Sequence, residues 1–164
     1  MIQQTVVPEV ESGLDFLGEF FKGSDEKAGR KKIIEFLSDD YSAAVRIAAN
    51  LSSHSKWIPY QFLLNRLKRI ADEVRTQADI FRAELAELGG QIPQVSMENR
   101  DLLEFRQNVK RLVTDVEEHS SRCETLMHQK NVVRDEGVLR LIDAVIVDMQ
   151  RQKDELIDIV MRLS

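Results

Sequence analysis

Between Leu63 and Leu85 the chain places Leu63, Leu67, Ile70, Val74, Gln77, Phe81 and Leu85 at three- and four-residue intervals without a break. That spacing puts all seven on one face of an α-helix and on neither face of a strand. Similar stripes recur: Ile34, Leu37, Tyr41, Ala44, Ala48 and Leu51; then Phe105, Val109, Leu112, Val116, His119, Cys123 and Leu126; then Leu141, Ile142, Val145, Met149, Gln152, Leu156, Ile159 and Leu163. With only 7 Gly and 3 Pro in 164 residues, little interrupts them. Four one-sided helices cannot each bury a stripe alone, so the sequence predicts an all-α four-helix bundle with a packed interior.

The boundaries follow from local chemistry. Residues 1–23 read as a short lead, greasy at Leu14, Phe16, Leu17, Phe20 and Phe21 and closed by Gly23, and residues 24–164 as the bundle. Ser24 or Asp25 can cap the first helix, which runs to about Ser53. Ser55 can cap the second, with Pro59 tolerable in its first turn. Gly89-Gly90 supplies a left-handed stop. "QIPQVSMEN" is aperiodic, and "HQKNVVRDEG" separates the last two helices.

The net charge of −5, with basic runs (29–32, 66–69) offset by nearby acids, does not suit a nucleic-acid binder. No apolar run nears the roughly 20 residues of a membrane span. The start has no signal-peptide pattern, and a lone Cys123 forms no internal disulfide, so the expectation is a cytoplasmic chain.

The chain also repeats itself. The one shift that lays Leu37 on Leu112 also lays Asp40 on Asp115, Leu64 on Leu139, Val74 on Met149 and Gln77 on Gln152, so the first helical pair falls on the second. Both halves keep the same spacing from the aspartate to the apolar residue, and from there to the glutamine. Polar residues inside apolar stripes make this repeat more than shared leucines.

"LSDDYSAAVRIAANL" and "LKRIADEVRTQADIFRAELAELGGQIP", and more loosely "IVDMQRQKDEL", resemble segments of the ferritin-like superfamily, near its rubrerythrin and bacterioferritin branches. The resemblance implies a ferritin-like bundle whose second and third helices are parallel. The crossover joining them, residues 89–100, would be taut, reaching about 40 Å when extended. It also implies a di-iron or di-manganese centre built from an inward Glu on the first helix of each pair and Glu-x-x-His on the second. Here Asp40 and Asp115 fall at the Glu positions, while Val74 with Gln77 and Met149 with Gln152 replace the two motifs. The site positions are vestigial on this reading. The expectation is no catalytic residue, no cofactor and no metal, with the polar layer held by hydrogen bonds or water.

The expected function is a non-catalytic binding or structural module, self-associating as the resemblance implies is common. The alternative is a metal-binding relative of the iron oxidation or storage type, holding iron or manganese at an altered site around Asp40, Asp115 and His119. A third is an adaptor docking through the aromatic lead. His119 and Cys123 share a helix face with Asp115 but suit core packing better than a metal, and His54 and His128 fall near helix ends.

Overall fold

The computed structural model describes the backbone from Glu11 onward and side chains from residue 26 onward. The helices are α1 (Glu11–Ser53), α2 (Gln61–Glu87), α3 (Phe105–Val132) and α4 (Glu136–Leu163), with one 3-10 turn, His54–Lys56. No strand occurs among the described residues, and no helix there is long and apolar enough to cross a membrane.

Cross-helix pairings set the directions. Arg30 donates to the Leu88 carbonyl at 2.9 Å and Arg75 to Ser52 at 3.2 Å, so α1 and α2 are antiparallel. Arg46 meets Glu118 and Arg122 meets Asp40, each at 2.6 Å, making α1 antiparallel to α3 as well. Arg66 on Asp158 and Arg151 on Glu73 do the same for α2 and α4. It follows that α2 and α3 point the same way, and residues 88–104 join opposite ends of the bundle.

Several boundaries differ from expectation. α1 passes through Gly23 without a stop, because a single glycine costs a helix only about 1 kcal/mol. The greasy residues of the lead, Leu14 to Phe21, fall outside the described side chains. α2 starts at Gln61 behind an extended Tyr60, with no side-chain cap, so neither Ser55 nor Pro59 opens it. α3 starts at Phe105, so the connection spans residues 88–104 and has more slack than the expected 89–100 would allow. Asn108 secures that connection. Its amide donates to the Leu103 carbonyl at 2.8 Å and its oxygen accepts from the Leu103 N–H at 3.3 Å. Only residues 133–135 separate α3 from α4, since Asp135 caps α4 by accepting from the Val138 N–H at 3.0 Å.

The Gly89-Gly90 stop is present. Gly89 has φ +77°, and Gly90 N–H reaches the Leu85 carbonyl at 2.9 Å while Gly89 N–H reaches Ala86 at 3.0 Å, a Schellman turn. The stripes form one core: Leu37, Leu51, Phe81, Leu85, Leu112, Val145, Met149 and Leu156 are all buried. Phe105 is the exception. It is 47% exposed and stands edge-on to Trp57, because at the first turn of α3 it has no neighbouring turn to fix its face inward.

Candidate functional site

Most of the inward polar residues fall into three hydrogen-bonded groups. Gln77 and Gln152, on facing sides of α2 and α4, occupy the middle: Gln77 Nε2 donates to Gln152 Oε1 at 3.4 Å. The same oxygen accepts from His119 Nε2 at 2.9 Å, and the Gln152 amide donates to Glu73 at 3.1 Å. Since Gln152 Oε1 is the acceptor, His119 carries its proton on Nε2, leaving Nδ1 buried without a partner. Burial holds His119 below the usual imidazole range despite its bond to Gln152, so it sits there neutral.

Asp40 forms the second group. Its Oδ1 accepts from Arg122 at 2.6 Å and from the Gln129 amide at 3.0 Å, while Oδ2 is buried and unpartnered. Burial lifts its carboxyl from 3.8 to about 6 against the pull of Gln129 and Arg122. A pocket of about 20 Å³ lies beside it, bounded by Gln77, Val74 and Met149. That is room for one water.

Asp115 forms the third. Arg100, arriving from the connecting segment, grips it with two bonds of 2.6 and 2.8 Å. His54 Nε2 lies 2.5 Å from Asp115 Oδ2, and Trp57 Nε1–H donates to His54 Nδ1 at 2.8 Å. With Nδ1 accepting, His54 is the neutral tautomer that donates to Asp115. Burial pushes the Asp115 carboxyl up, but His54 and Arg100 outweigh it and hold it below the ordinary range.

Asp40, Gln77, Asp115 and Gln152 are all inward, as the stripes require, but they do not form one cluster. Each aspartate is drawn to its own arginine, and only the two glutamines meet. Val74 and Met149 are buried and apolar. His119 bonds Gln152, not Asp115, and burial raises the Cys123 thiol, which is the less reactive state. Sequence reasoning gave no role to His54, Gln129, Arg100 or Arg122. A signal for two of them lies in the repeat: His54 follows Asp40 at the same separation by which Gln129 follows Asp115.

As a metal centre the donor set fits poorly. Among the described residues, no three His, Cys, Asp or Glu side chains gather as ligands. Both aspartates already face a guanidinium, whose fixed charge repels a cation. A neutral amide is a poor substitute for imidazole or carboxylate toward iron.

No protein-family model matches the chain, and no curated protein matches it significantly. Among solved structures, it is similar to a hypothetical protein from Pyrococcus furiosus, with a TM-score of 0.69 over 80% of this chain and 89% of that one. Sequence identity there is 14%, so the likeness concerns the helical fold alone.

Proposed function

We propose that this chain is a ferritin-like bundle in which an internal ion-pair and hydrogen-bond network has replaced the di-metal centre, leaving a non-catalytic binding or structural module. The parallel course of α2 and α3 and the internal repeat support the ferritin-like reading. The observation that carries the loss of metal is the occupation of both aspartates: Arg122 with Gln129 on Asp40, and Arg100 with His54 on Asp115. In each case a guanidinium supplies the positive charge that buried carboxylates would otherwise take from a metal. The free, buried Cys123 fits a cytoplasmic setting.

The test is metal content and thermal stability of protein purified from iron- and manganese-supplemented cells. The expected result is far less than one metal per chain and no shift in Tm on adding Fe(II), since only a ligand that prefers the folded state stabilises it. Near-stoichiometric iron or manganese would instead establish the metal-binding alternative.

A further inference from the structure

We propose that the chain forms a two-fold dimer through the outer face of α3 and α4, each copy covering the groove between the other's two helices. The groove has a volume of about 240 Å³ and apolar walls that include Val113 and Val116 on α3 and Ile157 and Met161 on α4. Met161 is 71% exposed and Ile157 41%, a poor arrangement for side chains facing only water. The internal repeat supplies a control. Where the second half has Val113, Ile157 and Met161, the first half has Ser38, Arg82 and Ala86. The same helical framework therefore does not require apolar residues there.

Charge identifies the occupant. Glu117 stands on the α3 wall and Lys153 on the α4 wall, and neither joins an ion pair among the described residues. The His119–Gln152 bond fixes the relative level of the two helices. Glu117 lies two residues before His119, and Lys153 one residue after Gln152. In antiparallel helices both steps lead toward the same end, so at about 1.5 Å per residue the two charges stand within about 2 Å of one level. A two-fold axis running along the groove preserves level and exchanges the walls. It sets Glu117 of each copy opposite Lys153 of the other, closing two ion pairs over an apolar centre. Self-complementarity of this kind is what an isologous interface needs. Two helices of 28 residues, about 42 Å long and about 10 Å apart, also offer roughly the 800 Å² per partner that stable interfaces use.

Sedimentation velocity of the full chain tests this, with Lys153→Glu, Glu117→Lys, the double exchange and Met161→Asp. Glu117 and Met161 are exposed and Lys153 is half-buried, so circular dichroism checks that each variant folds. The natural chain should dimerise at micromolar concentration. Each single reversal turns both ion pairs repulsive and should weaken the dimer by at least about tenfold. The double exchange should restore it, and Met161→Asp should abolish it. A chain that stays monomeric to about 100 µM, as it would if the groove served a different protein or a small apolar ligand, overturns the proposal. So does a dimer indifferent to the single reversals, or one lost only on removing residues 1–23.

Discussion

His54 and Gln129 occupy the same place in the two halves of the chain, and each holds the aspartate of the opposite half. His54 Nε2 lies 2.5 Å from Asp115 Oδ2, and Gln129 Nε2 lies 3.0 Å from Asp40 Oδ1. Both are N–H donors to a buried carboxylate, so glutamine should serve in both. His54→Gln is expected to cost about 1 kcal/mol, mainly the Trp57 bond, and His54→Ala about 2–3 kcal/mol, because Asp115 then loses a buried donor. Urea unfolding midpoints decide; equal losses would show that the donor is not what matters.

The two aspartates should respond to pH with opposite sign. Asp40 has a folded pKa raised to about 6, so between about pH 4 and 6 the folded state holds a proton that the unfolded chain has released. Its contribution to stability therefore falls as pH rises through that window, and Asp40→Asn should gain on the natural chain by about 2 kcal/mol from pH 4 to pH 7. Asp115 is held low, so its contribution is present above the ordinary carboxylate range and is lost as pH falls through the folded value. Asp115→Asn should destabilise at pH 7, and the deficit should shrink in acid. Unfolding curves at matched pH test both; parallel profiles would contradict the unequal environments.

Rebuilding the metal motifs should expose the part played by the arginines. Val74→Glu, Gln77→His, Met149→Glu and Gln152→His, with Asp40→Glu and Asp115→Glu, restore six ligands but leave Arg100 and Arg122 in place. That variant should gain little Tm from Fe(II). Adding Arg100→Leu and Arg122→Leu should produce a clear iron-dependent rise, together with a metal-free form less stable than the natural chain. Equal responses from the two variants would mean that the guanidinia do not compete with a cation.

Truncation of the core provides a check on helix register. Leu112→Ala and Leu156→Ala, both at fully buried positions, should each cost about 2–5 kcal/mol. Met149→Ala belongs in the same range. A neutral effect there would mean that α4 is rotated from the position described.

The bundle is legible in the sequence because helical periodicity is a local property: the stripe from Leu63 to Leu85 declares its buried face without reference to any other helix. Gln77 and Gln152 are legible for the same reason, as amides where the stripe calls for an apolar side chain. Arg100, Arg122 and His54 are not. An arginine on an otherwise polar surface gives no sign of which distant carboxylate it will reach, and Arg100 lies in a segment without periodicity at all. Extending a stripe into a first turn places Phe105 inward, but exposure there depends on the neighbouring loop and on Trp57.

The exchange of aspartate partners also fixes how the two hairpins, α1–α2 and α3–α4, slide against each other. Their apolar stripes repeat every turn, so displacing one hairpin by about 5.4 Å would set leucine against leucine again at small cost. The carboxylates do not tolerate such a slip. Moved by one turn, Asp40 would leave both Arg122 and Gln129, and Asp115, which keeps Arg100 from its own half, would leave His54, so two buried carboxylates would lose donors at once. The pair acts as a two-point registration mark, read only when the hairpins meet, so disturbing it should speed unfolding more than it slows the formation of either hairpin.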